Sequence, residues 1–373
     1  MTVGVVGAGQ LGRMLALAGY PLGLDFLFLD RSADVPAAAL APVLVGALDD
    51  RARLRQLARR SEVLTFDWEN ASVPALRAAT RGLRRRIAPP LRALAAGQDR
   101  LLEKRLFGSL GLRTTRHAAV ETRADLVRAC ARIGLPGMLK TRRLGYDGRG
   151  QAVVRDRAGI EQAWHLLGGV PLLFEELVDF DYEVSAIGVR ARDGVEAHYP
   201  LTRNWHAGGI LRLSLAPWRS AALERQARRS MRAMLRALDY VGVLAIEFFV
   251  HRGRLVANEF APRVHNSGHW TIEGAVTSQF ENHVRAIAGL PLGSTAPVGH
   301  AAMVNLIGHM PPRRALLAEP ELHLHDYGKA PRPGRKLGHL TLVAATARER
   351  DRRVRALLRR LGLPPGDARR IRR

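Results

Sequence analysis

A strand, a glycine-rich turn and a helix fill the first twenty residues, "MTVGVVGAGQLGRMLALAGY", and no other stretch constrains the fold as strongly. Gly7, Gly9 and Gly12 are spaced G-x-G-x-x-G between the apolar run "VGVV" and a helical pattern, so the chain turns tightly out of a strand into a helix. Such a turn belongs to a parallel α/β unit. The run "DFLFLD" supplies a second strand, and Asp30 falls 18 residues after Gly12, about where an acidic side chain holds the ribose of a nicotinamide dinucleotide. The same glycines serve any close strand-to-helix turn, so a dinucleotide site and a plain turn both fit.

The alternation continues to about residue 95, through a helix across 50–60, the strand-like "EVLTFDWEN" and the helical "SVPALRAATRGL". After "RIAPPLRALA" a second module begins near residue 96. Within it, residues 114–180 have the size of a small α+β lid, with helices at 121–133 and 158–167 and strands "GMLK" and "PLLFEEL". Residues 181–290 read as antiparallel strands with two helices, and 295–373 as a β-rich unit ending in a basic helix.

The formal charge of +24 raises the question of nucleic acid. The arginines are spread through every segment at spacings that put them on solvated helix faces, and neither an RNA-binding aromatic signature nor a zinc-ligand array accompanies them. No specific nucleic-acid partner is expected. No apolar run reaches the roughly 18 residues of a membrane span, and "MTVGVVGAG" enters a strand without a basic leader, so a cytoplasmic protein without a membrane partner is expected. The single cysteine, Cys130, reads as a small core residue. Only four of the 58 basic residues are lysines: Lys104, Lys140, Lys329 and Lys336. Where arginine has replaced lysine nearly everywhere, the survivors mark places that need a compact ammonium.

Four stretches carry chemistry. Lys140 ends an apolar strand, and Gly145, Gly148 and Gly150 follow within "GYDGRGQ", a loop whose amides can close over an anion beside the lysine. In "GVLAIEFFVHRGRLVANEFAP", a three-residue loop centred on Gly253 sets Glu247 directly opposite Glu259. Two facing carboxylates repel unless a cation lies between them, and hard oxygen donors suit Mg²⁺ bridging nucleotide phosphates. Arg263, His265 and Asn266 then crowd donors suited to an oxyanion such as bicarbonate or an acyl phosphate into four positions. Finally, "YGKAPRPGRKLGH" arranges Lys329, Arg332, Arg335 and Lys336 around a proline and a glycine, as a grip on a phosphate.

Together these stretches resemble the ATP-grasp superfamily, and most closely the N5-carboxyaminoimidazole ribonucleotide synthetase family of purine biosynthesis. The words are "GAGQLGRML" at 7–15, "QDR" and "EK" at 98–104, "LKTRRLGYDGRGQ" at 139–151, "YPL" at 199–201, "NEFAPRVHNSGHWT" at 258–271 and "RPGRKLGH" at 332–339. The run "NSGH" and the word "RK" separate this family from biotin carboxylases and the formate-dependent transformylase. The resemblance implies a mixed α/β and α+β chain: a Rossmann-like pre-ATP-grasp domain over 1–95, an ATP-grasp body over 96–294 with its lid, and a small β-rich C-terminal domain over 295–373.

The resemblance also implies roles. Arg100 and Lys140 would meet ATP phosphates under the loop of Gly145, Tyr146, Asp147, Gly148, Arg149, Gly150 and Gln151. Glu175, Glu176, Leu177 and Val178 would read adenine, Glu183 would hold the ribose, and His206 and Asn258 would complete the pocket. Glu247 and Glu259 would bind Mg²⁺, with Mn²⁺ able to substitute. Lys140, Tyr146, Asp147, Arg263, His265, Asn266 and Lys329 would carry catalysis, and Gln10, Leu11, Glu69, Lys329 and Arg335 would hold 5-aminoimidazole ribonucleotide. The implied reaction joins bicarbonate to that ribonucleotide at the expense of ATP through carboxyphosphate, by direct transfer or through released CO₂, in a homodimer. Leu144 and Asp67 depart from the family pattern, which has glycine and glutamate there. A nicotinamide oxidoreductase, a nucleic-acid binder and another ATP-grasp ligase remain as alternatives.

Overall fold

The computed structural model describes residues 1–83, 86–145 and 148–362. The chain opens with β1 (Thr2–Val6), α1 (Gln10–Gly19), β2 (Asp25–Asp30), β3 (Val43–Val45), α2 (Arg51–Arg59), β4 (Val63–Phe66), α3 (Val73–Thr80) and β5 (Arg86–Ile87). All five strands are parallel, in the order β3-β2-β1-β4-β5. This is the doubly wound unit that the glycine turn demands. Asp50 and Ser72 cap α2 and α3 with their side chains, whereas Gly9 gives α1 no side-chain cap.

Two helices, α4 (Leu91–Gly97) and α5 (Arg100–Ser109), lead into the lid. The lid comprises β6 (His117–Val120), α6 (Arg123–Ile133), β7 (Gly137–Thr141), β8 (Gln151–Val154), α7 (Arg157–Leu167) and β9 (Leu172–Glu176). Its antiparallel sheet runs β6-β9-β7-β8 and buries Leu139, Leu172 and Phe174 against the two helices. Cys130 lies in that core, with a thiol whose pKa burial raises.

The body follows as β10 (Tyr182–Arg190), β11 (Glu196–His198), β12 (Thr202–Ala207), β13 (Ile210–Ala216), α8 (Ala221–Ala237), β14 (Gly242–His251), β15 (Arg254–Ala261), α9 (Thr271–Gly274) and α10 (Gln279–Ala288). The remaining elements are β16 (His300–Ile307), α11 (Arg313–Leu316), β17 (Leu322–Asp326), β18 (Lys336–Ala344) and α12 (Ala347–Arg360). Here the structure adds what residue patterns did not show. The strands after residue 295 are not a sheet of their own: β16 pairs with β13, extending one antiparallel sheet in the order β15-β14-β10-β12-β13-β16-β18-β17, with β11 beside β10. Leu213 and Leu215 of β13, Val304 and Leu306 of β16 and Val354 and Leu357 of α12 share a single core.

The N-terminal unit docks on the body through α1 and α10, where Met14, Leu15 and Phe28 join Val243, Phe280 and Val284 in one apolar cluster. A buried histidine stitches this seam. The Val243 amide donates to His283 Nδ1 at 3.1 Å, which leaves the ring's proton on Nε2 to meet Thr65 Oγ1 of β4 at 3.0 Å. Burial lowers the His283 pKa to about 3, so the ring stays neutral.

Candidate active site

Between lid, body and N-terminal unit lies a cavity of about 830 Å³. The hairpin β14–β15 forms much of its floor. Its loop is shorter than the three residues expected: His251 pairs with Arg254, and Arg252 (φ 50°) and Gly253 (φ 71°) make a two-residue turn with both residues left-handed. That register alone would set Asn258 opposite Glu247. A β-bulge leaves Asn258 without a register partner and brings Glu259 opposite Glu247, so the facing carboxylates arise from a bulge rather than from the loop.

The two carboxylates sit in different fields. Burial, reinforced by Glu259 and Glu183 against the pull of His206, raises Glu247 to about 7. For Glu259 desolvation is outweighed by Arg100, whose Nη1 donates to Oε2 at 2.9 Å, and the carboxyl is held below its usual range. His206 donates from Nδ1 to Glu183 Oε2 at 2.6 Å; burial alone would lower its pKa, but this bond and the field of Glu247 lift it to about 9. The donor set is carboxylate oxygen, the chemistry Mg²⁺ prefers. Among the described residues no cluster of three or more His, Cys, Asp or Glu is arranged to hold a metal. The pair therefore fits a cation that takes its other ligands from phosphates and water.

Helix α5 aims one face at this floor. Arg100, Glu103 and Lys104, spaced i, i+3, i+4, reach respectively Glu259, the Phe260 amide (2.6 Å) and the Asn258 carbonyl (2.9 Å) of β15. On the lid side Lys140 and Glu175 form an ion pair. Glu176, Leu177 and Val178 form the lid-to-body edge beside the stacked rings of Phe180 and Phe249. Gly145, Gly148 and Gln151 reach the cavity wall, while Arg149 and Gly150 do not. Gly150 instead supports the lid strand, its carbonyl accepting from the Thr141 amide at 2.8 Å. Tyr146 and Asp147 lie outside the described residues. Leu144 holds φ 62° and is 70% exposed, a left-handed leucine where glycine would be unstrained.

At the opposite end Arg263 donates to Glu69 at 2.7 Å, and Gln98 secures the backbone of Glu69 and Ala71. The Gln279 amide accepts from the His265 N–H and donates to its carbonyl, fixing the segment that presents His265 and Asn266. His265 Nε2 stands 3.4 Å from Glu247, and the Asn266 amide pairs with that of Asn305. Gln10 and Leu11, at the start of α1, complete this wall. Lys329 and Arg335 are not part of it: Lys329 donates to Gln10 Oε1 from behind, and Arg335 turns to the Ala330 carbonyl at 3.1 Å.

The glycine turn is closed from inside. Asp67 Oδ2 accepts from the amides of Gly9 (2.8 Å) and Gly12 (3.2 Å), supplying the cap that Gly9 lacks, and Asp30 accepts from Ala8 at 2.7 Å. A Cβ on Gly7 would stand 1.7 Å from Asp67 Oδ1. Burial, with Asp30 adding to it, pushes Asp67 up to about 6 despite these bonds. The amides that would hold a dinucleotide's pyrophosphate are engaged by the chain's own carboxylates.

Residues 1–98 match the ribonucleotide synthetase preATP-grasp domain, 105–280 the ATP-grasp domain and 301–353 the phosphoribosylaminoimidazole carboxylase C-terminal domain. The N5-carboxyaminoimidazole ribonucleotide synthase of Pseudomonas aeruginosa is 51% identical over 361 residues, covering 96% of this chain and 99% of that protein. The crystal structure of N5-carboxyaminoimidazole ribonucleotide synthetase from Thermus thermophilus superposes with a TM-score of 0.91 at 50% identity, over 96% of this chain and 98% of that one. The enzyme from Aspergillus clavatus, in complex with ADP and 5-aminoimidazole ribonucleotide, superposes with a TM-score of 0.90 at 31% identity, over 97% of this chain and 98% of that one.

Proposed function

This chain belongs to the N5-carboxyaminoimidazole ribonucleotide synthetase family of ATP-grasp ligases, and from that premise we propose how its cavity works. The reaction is the ATP- and bicarbonate-dependent carboxylation of 5-aminoimidazole ribonucleotide to N5-carboxyaminoimidazole ribonucleotide, with release of ADP and phosphate. The observation that carries the reading is that one cavity joins Arg100, Lys140, Glu183, Glu247 and Glu259 to Gln10, Glu69, Arg263 and His265.

ATP lies between lid and body, with adenine along Glu176–Val178, its ribose on Glu183 beside His206, and its phosphates toward Arg100 and Lys140. These cations now rest on Glu259 and Glu175 and turn to phosphate oxygens when nucleotide enters. Glu247 and Glu259 would hold Mg²⁺, with Mn²⁺ able to replace it; the ion would supply charge neutralisation at the phosphoryl oxygens. Bicarbonate attacks the γ-phosphate, and the donors of Arg263 and Asn266 hold the carboxyphosphate so formed. Burial keeps His265 well below the usual histidine range, so its ring stays neutral and serves as a hydrogen-bonding group rather than a cation. The amine of the ribonucleotide takes the carboxyl group while Gln10, Leu11 and Glu69 hold the ring and ribose; Lys329 and Arg335, outside the cavity wall, turn from Gln10 and the Ala330 carbonyl to meet its phosphate. A cytoplasmic homodimer is part of the proposal; among the described residues no helix is long and apolar enough to cross a membrane.

The test is ADP release with bicarbonate, with and without 5-aminoimidazole ribonucleotide. Release that rises strongly with the ribonucleotide is expected, and indifference to it refutes the assignment. A dehydrogenase is disfavoured because Asp67 and Asp30 already engage the turn's amides, and tight NADH binding would contradict this.

A further inference from the structure

Two ammonium groups share one carboxylate at the lid edge. Only 3% of the Glu175 side chain is exposed; Lys140 approaches Oε1 from β7. Lys104 reaches Oε2 from α5 at 3.2 Å, where the Thr115 hydroxyl also donates at 2.6 Å. Lys104 is itself buried, at 2% exposure, and is not part of the cavity wall. Its Nζ also donates to the carbonyl of Asn258, the bulge residue without a register partner.

A carboxylate this deeply buried must keep a cation, because an unpaired buried charge is costly. Were Lys140 its sole counter-ion, turning that lysine toward a phosphate would strand Glu175. Arg100 cannot take its place, since it pairs with Glu259 and is itself drawn to the phosphates when nucleotide enters. We propose that Lys104 is a positioning residue, holding Glu175 so that Lys140 is released to the nucleotide phosphates. This rests on the reading of the cavity as a nucleotide site. An arginine is too wide for the place, which accounts for one of the four lysines of the chain.

The test is calorimetric titration of Mg²⁺ and ADP, without the other substrates, into the wild type, Lys104→Met, Glu175→Gln and the double variant. Lys104→Met is expected to weaken ADP binding by about ten- to a hundredfold, since Glu175 then keeps Lys140 for itself. The double variant, which buries no unpaired carboxylate, should recover to near the affinity of Glu175→Gln alone. A merely structural lysine predicts the opposite, losses that add. Unchanged affinity in Lys104→Met, or additive losses in the double variant, overturns the proposal. If Lys104→Met does not fold, Lys104→Gln, which keeps a donor for Asn258 but no charge, takes its place in the same cycle. Wild-type ADP release that ignores 5-aminoimidazole ribonucleotide would sink the assigned reaction while leaving this cycle decisive; absence of ADP binding by the wild type would sink both.

Discussion

Replacing Glu247 by glutamine is expected to raise stability and remove activity together. The folded chain lifts this carboxyl from 4.5 to about 7, chiefly by burial. Between those values the folded state binds more protons than the unfolded one, so stability falls as pH rises through the window. Above it the accumulated cost is about 3 kcal/mol, at roughly 1.4 kcal/mol per pKa unit. Glutamine keeps the shape without the charge. Near pH 8 and without divalent cation, Glu247→Gln should therefore melt about 4 °C higher than the wild type, for a chain of 373 residues unfolding as one unit. Below about pH 4.5 the advantage should vanish, because the wild-type carboxyl is then protonated in both states. With ATP and saturating Mg²⁺, turnover should drop on the order of a hundredfold or more. Thermal unfolding at the two pH values and ADP release on the same preparations test both halves. A variant less stable than wild type near pH 8, or one turning over at close to the normal rate, would refute the facing-carboxylate account.

Lys329→Arg keeps the charge but puts a wide fork behind Gln10, and should cut carboxylation on the order of a hundredfold while ADP affinity barely moves; equal loss of both would place Lys329 in the nucleotide pocket. Leu144→Gly should change stability by less than about 1 kcal/mol, because relief of the left-handed φ and the greater freedom of glycine in the unfolded chain oppose each other. Leu144→Val should lose about 1–2 kcal/mol, and a stable valine variant would show that the loop does not need this φ. His283→Ala should cost about 2–4 kcal/mol in urea unfolding, since it leaves the Val243 amide without its partner and opens a void at the seam; an unaffected midpoint would mean that the seam is held elsewhere.

The glycine turn, the strand and helix alternation and the chemistry-bearing words could be read from residue patterns, because periodicity and turn chemistry are local. What escaped that reading is set across the chain. Glu247 and Glu259 were expected to face each other over a three-residue loop, and they do so over a two-residue loop corrected by a bulge. Asn258 carries no local mark of being the extra residue; the donor that satisfies it comes from Lys104, 154 positions away. Asp67 read only as a departure from the family pattern, yet it closes the turn 55 and 58 positions upstream in a way no spacing rule anticipates. Lys104 did leave a signal, the scarcity of lysine, but scarcity names a residue without naming its partner.

The pairing of β13 with β16 also sets an order of events during synthesis. Residues 210–216 leave the ribosome 84 positions before residue 300, a wait of roughly 4–17 s at 5–20 residues per second. Throughout that interval the far edge of β13, with Leu211, Leu213 and Leu215, lacks the neighbour that later covers it. An unpaired apolar strand edge recruits other strands. A nascent or prematurely terminated chain ending before β16 would thus expose an adhesive margin in the middle of its largest sheet, and its hazard would be aggregation rather than mere loss of a C-terminal appendage.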